Sequence, residues 1–266
     1  MDMQVYETIK TQIKQMMRIN LDHYKDEQMR RRLDSWLVRS GCANWNDYFV
    51  RVRSDPKEMT RFRDYLTINV TSLFRDPERW TALREQVMPE LLRAAMQLRP
   101  ASSGLRIWSA GCSIGAEPYT LVMLLDEIAP NRQHTILATD LDKGAISRAV
   151  SGGGFTEDEI VNLTAAQRSK FLEPGGPPYR VKQSVIKKIE FKEHNLLADA
   201  FPKDMDLIIC RNVVIYFTTE TKDMLYRRFC TALRPNGYLF VGATEILPRP
   251  QELGFVGAGI SFYKAN

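Results

Sequence analysis

The chain has 266 residues, of which 44% are hydrophobic and 26% are charged. This composition is ordinary for a globular protein and excludes a mainly disordered chain. The longest apolar runs, such as residues 121–125, are far shorter than the roughly 20 residues that a membrane-spanning helix needs. The polar N-terminus lacks the apolar region of a secretory signal, and the four cysteines form no CxxC pair. We therefore expect a cytoplasmic protein without a metal site.

The net charge is +5, from 37 basic and 32 acidic residues. An excess of this size is too mild for a protein dedicated to nucleic-acid binding. A local basic face could still meet an acidic partner, since charge complementarity acts over short distances. The composition thus leaves the class of partner open and directs attention to the motifs.

Apolar residues recur at helical spacing throughout the first 95 residues. The Asp-Pro pairs at 55–56 and 76–77 predict the starts of two helices, and Glu58 is placed as a capping-box glutamate for the first of them. The stretch 99–104, which is rich in Pro, Ser and Gly, then breaks all periodicity. We place the domain boundary there, with a helical domain over residues 1–95.

Residues 96–266 read differently, because short apolar runs alternate with helical stretches. This rhythm predicts an α/β domain, a parallel sheet with helices on both faces. A Gly-containing turn within 255–263 predicts a final antiparallel hairpin. Alternating runs around a Pro-Gly cluster predict a small antiparallel β insert at about 171–191. The strands of the main sheet are predicted at 106–110, 134–139, 189–191, 206–210 and 238–242.

The turn after the first strand, in R-I-W-S-A-G-C-S-I-G-A-E-P-Y-T-L, is the most informative stretch. Gly111 and Gly115 let the backbone approach a ligand at the carboxyl end of the strand. The spacing fits neither a P-loop nor G-x-G-x-x-G, and Glu117 would repel a pyrophosphate but suits hydroxyls, amines or a sulfonium. Asp140 ends the next strand, where it can bind a ribose or cap a helix. Together these residues favour a nucleoside without phosphates; S-adenosylmethionine (SAM) fits, and NAD fits less well.

Polar residues also follow the third and fourth strands. Asn195, with Leu196, follows the third strand and could bind an adenine ring, although as an isolated turn residue it would be unremarkable. Arg211 and Asn212 follow the fourth strand, with a solvent-facing helix cap as the alternative. Arg75, judged from its residue context alone, reads as a surface arginine. No general-base constellation is present, and methyl transfer to an ionised carboxylate would need none.

Five further motifs accompany the glycine turn, namely T-I-N-V-T-S-L-F-R-D, A-T-D-L-D, H-N-L-L, C-R-N-V-V-I-Y-F and G-Y-L-F-V-G-A-T-E. Taken in chain order, these six motifs resemble those of the CheR-type chemotaxis receptor methyltransferases, over nearly the whole chain. The resemblance implies a helical N-terminal domain followed by a Rossmann-like SAM-dependent methyltransferase domain with a small antiparallel β insert. It also implies methyl transfer from SAM to glutamate side chains on the helical bundle of chemoreceptors.

The resemblance assigns roles to individual residues and reverses the reading of Arg75. Arg75 and Tyr216 would face the methyl group and the incoming glutamate, and no metal is implied. The arginines Arg30, Arg31 and Arg32, which a helical pattern otherwise places on a solvated face, would contact the acidic receptor bundle. The expected cofactor-binding residues are Asn69, Thr71, Arg75, Gly111, Glu117, Asp140, Asn195, Leu196, Arg211 and Asn212.

Two departures from the family pattern concern the cofactor and the partner. Ala116 stands where many relatives carry a second acid, but Glu117 remains for cofactor binding. The β insert looks shorter than in members that dock on a receptor-tethered terminal peptide, so we expect direct binding to the receptor bundle through the insert and the N-terminal helices. We also expect a monomer that does not bind nucleic acid. Two alternatives remain: a nucleic-acid methyltransferase, weakened because R-N-V-V-I-Y replaces the N-P-P-Y type of motif, and a non-catalytic adaptor that binds the cofactor.

Overall fold

The structure, a computed structural model, describes residues 1–67, 71–98, 100 and 103–266. The chain divides into two compact units. The helical unit comprises Met1–Asn69 and Ile215–Asp223, and the sheet unit comprises Val70–Val214 and Met224–Asn266. The division therefore differs from the boundary predicted at residues 95 and 96.

Four helices and a short 3₁₀ turn make up the N-terminal part of the helical unit. Their apolar faces meet in an aromatic cluster in which the ring of Phe62 lies 5.6 Å from that of Trp36 and 5.2 Å from that of Tyr48. These rings are buried, so the cluster provides the main core of this unit. The elements are α1 (Met3–Met17), the turn Leu21–His23, α2 (Asp26–Ser40), α3 (Trp45–Ser54) and α4 (Pro56–Thr67).

A second helical stretch accounts for the difference between the two divisions. Helices α5 (Pro77–Ala82) and α6 (Met88–Leu98) follow one another through a π-helical turn, and α5 begins at Pro77, directly after Asp76, as predicted. The buried apolar residues of these two helices pack in the same hydrophobic core as the strands. Within this core, the Trp80 ring lies 5.7 Å from the ring of Phe240. Helical periodicity identifies a buried face but cannot tell which unit covers it.

The sheet unit contains a seven-stranded sheet. In chain order, the helices and strands of this part of the chain are β1 (Ser103–Ala110), α7 (Ala116–Ile128), β2 (Gln133–Asp140), α8 (Lys143–Val150), β3 (Gly153–Phe155), α9 (Ala165–Phe171), β4 (Tyr179–Arg180), α10 (Gln183–Ile186), β5 (Ile189–Glu193), β6 (Met205–Cys210), α11 (Thr219–Ala232), β7 (Leu233–Val241), β8 (Phe255–Gly257) and β9 (Phe262–Ala265). The first five residues of α11 belong to the helical unit.

The strand order in the seven-stranded sheet is β5-β2-β1-β6-β7-β9-β8. The first five of these strands run parallel, and the last two join as antiparallel strands at one edge. The parallel sheet with helices and the antiparallel ending are both as predicted.

The small antiparallel sheet is present, but its strands differ from the predicted ones. Strand β3 pairs with β4, so the insert begins near residue 153. The residues from Ile189 onward belong to β5, which pairs in parallel with β2 of the main sheet. Within the described ranges, no helix is long and apolar enough to cross a membrane.

Candidate active site

The glycine turn lies at the carboxyl end of β1, where predicted. Gly111 has a φ of +93°, and a Cβ at this position would lie 2.4 Å from Cγ2 of Val213. The backbone N–H groups of Gly111 and Cys112 both donate to the carbonyl of Thr139, at 2.8 and 2.9 Å. Only glycine combines this backbone conformation with such close packing, so the turn is held tightly against the end of β2.

Asp140 organises the turn from the end of β2. Its carboxylate accepts hydrogen bonds from the backbone N–H of Ser113 at 2.8 Å and of Asp142 at 2.9 Å. The helix-cap alternative for Asp140 is wrong, because Asp142 caps α8 by accepting from Gly144 and Ala145. Burial raises the pKa of Asp140, although these N–H donors oppose the rise. Asp140 is thus an acceptor fixed at the edge of the sheet.

Glu117 lies in the first turn of α7, two residues after Gly115 of the glycine turn. Its Oε1 accepts a 2.6 Å hydrogen bond from the hydroxyl of Ser109 in β1. Burial raises the pKa of Glu117 to about 7, while the positive charge of Arg211 and the bond from Ser109 oppose the rise. A carboxyl group with this pKa gains most from a cationic ligand, because the cation favours its ionised form.

Arg211 follows β6 and is almost fully buried, with 7% of its surface exposed. Its Nη2 atom donates to the carboxylate of Asp76 at 2.7 Å and to the carbonyl of Arg75 at 3.0 Å. The guanidinium also lies 4.8 Å from the ring centre of Phe240. The solvent-facing alternative for Arg211 is therefore wrong. Instead, the side chain connects the end of the sheet to the segment before α5.

The segment before α5 carries Thr71 and Arg75, both of them half-buried. Its backbone is held by bonds from Leu73 N–H to the carbonyl of Glu159 and from Phe74 N–H to the hydroxyl of Thr120. The Arg75 side chain is close enough for its charge to oppose the burial-driven rise in the Glu117 pKa. The structure thus brings Arg75 into the same charged cluster as Glu117 and Arg211.

The turn after β5 contains Asn195 and Leu196. The Asn195 side-chain oxygen accepts from the backbone N–H of Leu197 at 2.9 Å, so this acceptor is used within the turn. Arg228 of α11 donates to the carbonyls of Leu196 and Asp199. These bonds give the turn a fixed backbone, which agrees with both readings of Asn195, the ordinary turn residue and the ligand-facing loop.

Four of the remaining predicted site residues belong to the helical unit. Asn69 lies outside the described residues. Tyr216 belongs to the helical unit, where its carbonyl accepts from the Lys25 N–H at 3.0 Å. The three arginines of α2 are in the same unit and differ in their surroundings. Arg30 donates to the Met1 carbonyl, Arg31 is exposed and pairs with Glu27 at 2.5 Å, and Arg32 donates to the Tyr65 carbonyl and lies 4.6 Å from the Tyr65 ring centre.

Comparison with known proteins agrees with this arrangement. Residues 69–260 match the family model described as "CheR methyltransferase, SAM binding domain", and residues 4–67 match "CheR methyltransferase, all-alpha domain". The chain belongs to the CheR methyltransferase family. The resemblance found in the motifs is confirmed, as is the order of an all-α domain before a SAM-binding domain.

Individual CheR relatives align with most of this chain. A chemotaxis protein methyltransferase of Listeria monocytogenes is 36% identical over 94% of this chain and 93% of its own length. One from Borreliella burgdorferi is 33% identical over 90% of this chain and 86% of its own length. Among solved structures, a TehB-like SAM-dependent methyltransferase from Corynebacterium glutamicum has a TM-score of 0.37 and 17% identity, covering 71% of this chain and 93% of that one.

The residues of this CheR site suit SAM. The ligand has a ribose, a cationic sulfur and an amino-acid end, and the sheet edge offers two acidic acceptors, Asp140 and Glu117, with the cation of Arg211 near Glu117. The Nε atom of Arg211 is buried without a hydrogen-bond partner among the described residues, so it can donate to a ligand acceptor. These acceptors and this donor match a cofactor that has a cationic sulfur and a zwitterionic amino-acid end but no phosphates.

Sequence reasoning missed Glu245 as a residue of this site. Its buried carboxylate accepts backbone N–H bonds from Asn212, Val214 and Gly242. Glu245 ends the motif G-Y-L-F-V-G-A-T-E, which carried part of the resemblance. The available signal was an acidic residue four positions after the end of a buried strand, where a carboxylate is seldom kept without a partner.

Proposed function

We propose that this CheR protein transfers the methyl group of SAM to glutamate side chains of chemoreceptors and so forms glutamate methyl esters. S-adenosylmethionine, when bound, supplies a methyl group on a positively charged sulfur. The proposed step forms a bond between the methyl carbon and a glutamate oxygen and breaks the methyl–sulfur bond, with S-adenosylhomocysteine as the leaving product. The cluster of Glu117, Asp140, Arg75 and Arg211 at one sheet edge is the observation that carries this proposal.

The chemistry of the acceptor supports a site built for positioning. A glutamate carboxylate is already ionised near neutral pH, so its oxygen needs no general base. It does need a fixed approach to the methyl carbon and a neighbouring cation that holds its negative charge. Arg75 is the proposed cation, and Tyr216 is the second residue for which we propose a catalytic role. The Arg75 backbone is already fixed, since its carbonyl accepts from Arg211 and from the Trp80 indole N–H.

The reaction class can be tested with methyl-labelled SAM and membranes that contain chemoreceptors. After labelling, the pH is raised, because a carboxyl methyl ester hydrolyses in base and releases labelled methanol. We expect volatile label from the receptor fraction. Label that stays bound after base treatment would contradict ester formation and would support N- or C-methylation instead.

The Arg75→Ala variant separates the enzyme from a cofactor-binding adaptor. We expect the variant to keep its fold and lose methyl transfer. An adaptor would keep its effect in a swarming assay without any transfer. If Arg75→Ala and the parent protein support chemotaxis equally well while neither labels a receptor, the methyltransferase proposal is wrong.

We further propose that docking takes place on the receptor bundle itself, through the helical unit and the small β insert, in the cytoplasm. Arg31 supports this proposal because it is exposed, with 79% of its side chain accessible. Binding can be measured with a receptor cytoplasmic fragment and with an isolated receptor C-terminal peptide. We expect binding to the fragment only, and measurable binding to the peptide would contradict the proposed mode.

A further inference from the structure

Glu245 joins the loop after β6 to the end of β7. Its Oε2 accepts from the N–H of Asn212 at 2.7 Å and of Gly242 at 2.6 Å, and its Oε1 accepts from the N–H of Val214 at 3.1 Å. Only 5% of the Glu245 surface is exposed. One buried carboxylate therefore uses both oxygens to fix the backbone of two separate segments.

The three donors require a carboxylate of this length. Because N–H groups point at both oxygens, a glutamine would place its own NH₂ group against at least one donor. An aspartate is one methylene shorter and would not reach the same donors. The neighbouring glycine fits the same arrangement, since a Cβ on Gly242 would lie 2.5 Å from Oε2 of Glu245 and 3.0 Å from the nitrogen of Asn212.

The segment that Glu245 holds is part of the cofactor site. Asn212 has a φ of +60°, in the left-handed region that residues with a side chain rarely adopt and that Asn tolerates better than most. The preceding residue, Arg211, is bound to Asp76. The stretch from Arg211 to Val214 is thus fixed at its beginning by an ion pair and further along by the Glu245 carboxylate.

Glu245 also acts on the site through its charge. After the larger effect of burial, its negative charge is one of the contributions that raise the pKa of Glu117. It likewise opposes the burial-driven fall in the pKa of Arg211. A change at Glu245 should therefore be detectable in the titration of a group that Glu245 does not itself bind.

We propose that Glu245 is a positioning residue of the SAM site, which holds the backbone of Asn212–Val214 in the conformation that binds the cofactor. The proposal rests on SAM as the cofactor of this family and is independent of the methyl acceptor. Its test measures SAM binding alone, so failure of receptor methylation and failure of this proposal give different results.

The test compares SAM affinity by calorimetry from pH 5.5 to pH 8.5 in the parent, Glu245→Gln and Asp206→Asn proteins. Asp206 is a matched control, because it is a fully buried carboxylate that accepts a backbone N–H, from Arg106 at 2.7 Å, at the other end of β6. We expect Glu245→Gln to raise the SAM Kd at least tenfold and to move the pH midpoint of binding downward. We expect Asp206→Asn to lower the melting temperature and leave both binding quantities unchanged.

A second variant separates position from charge. Gly242→Ala displaces the Glu245 carboxylate but keeps its charge, so we expect a weaker SAM affinity with a smaller change in the pH midpoint. It also keeps the proposal testable if Glu245→Gln does not fold. Folded Glu245→Gln or Gly242→Ala protein with parental SAM affinity would overturn the proposal, as would an equal loss of affinity in Asp206→Asn.

Discussion

The Asp76 carboxylate accepts a 2.7 Å hydrogen bond from the guanidinium of Arg211, although Asp76 directly precedes Pro77 at the start of α5. An aspartate at this position ordinarily caps the helix that follows. Here it makes no capping bond and has a φ of +56°. Instead of capping the adjacent helix, the Asp76 side chain binds a residue 135 positions away in the sequence.

Replacement of Asp76 by Asn should show how much this ion pair contributes. Asn keeps the shape and tolerates the left-handed backbone, but it leaves the buried Arg211 charge without its counter-ion. We expect the free energy of unfolding to fall by about 2 kcal/mol in a denaturant titration. Glu78→Gln, at an exposed residue two positions later, is the control. A difference between the two variants of under about 0.5 kcal/mol would contradict the assignment.

Glu117 predicts a dependence of stability on pH. Its pKa of about 7 lies above the ordinary value of 4.5, so the folded protein holds this proton more firmly than the unfolded chain. Protonated Glu117 therefore contributes up to about 3 kcal/mol to the free energy of unfolding. This contribution is complete below pH 4.5 and is lost as the pH rises through 7. Glu117→Gln should remove this slope.

The same variant should lose cofactor affinity, since Gln cannot pair with a cation. We expect SAM to bind Glu117→Gln at least tenfold more weakly at pH 8, while the variant without ligand unfolds at a higher temperature than the parent. Unfolding curves at pH 5.5 and pH 8 provide the comparison. Equal pH slopes for the two proteins would show that Glu117 does not titrate in this range.

Gly111→Ala should damage the turn after β1. The new Cβ would lie 2.4 Å from Val213 and would require a residue with a side chain to adopt a φ of +93°. We expect a loss of about 2 kcal/mol or more in unfolding free energy. Gly176→Ala is the control, because a Cβ there meets nothing within 4 Å. The double variant with Val213→Ala should recover the part of the loss that comes from the clash; no recovery would assign the loss to backbone strain.

Arg75→Ala should separate catalysis from stability. The backbone carbonyl of Arg75 accepts from Trp80 and Arg211, and these two bonds are kept when the side chain is replaced. We therefore expect methyl transfer to receptors to fall at least a hundredfold while the melting temperature changes by about 2 °C or less. Arg75→Lys keeps the charge without the bidentate geometry and should show an intermediate rate. Unchanged transfer in Arg75→Ala would exclude a catalytic role.

The arginines of α2 should respond differently to replacement. Arg31→Glu reverses an exposed charge, and we expect a three- to tenfold higher KM for receptor with unchanged stability. Arg32→Ala should instead lower the melting temperature, because Arg32 lies over the Tyr65 ring and donates to its carbonyl. Receptor titrations and thermal unfolding of both variants test the assignment. The opposite pattern would place the docking contact at Arg32.

The sheet and most of its edge residues could be predicted from the sequence. Buried parallel strands are short apolar runs, and the residue after each run lies at the same edge, so Asp140 and Arg211 were identified by position alone. Partners far apart in the chain could not be predicted in this way. Glu58 resembled a capping-box residue, yet its carboxylate accepts from Arg51 at 2.7 Å and from the Tyr48 hydroxyl at 3.2 Å.

The helical unit is built from two separate parts of the chain, and this limits how the protein can be divided. Residues 215–223 are bound inside that unit, where Thr218 donates to the His23 carbonyl and Tyr24 pairs with Phe217. A truncation at residue 70 would therefore leave residues 215–223 of the remaining polypeptide without these partners. Gene fusion or exchange at that point would not transfer an independently packed module.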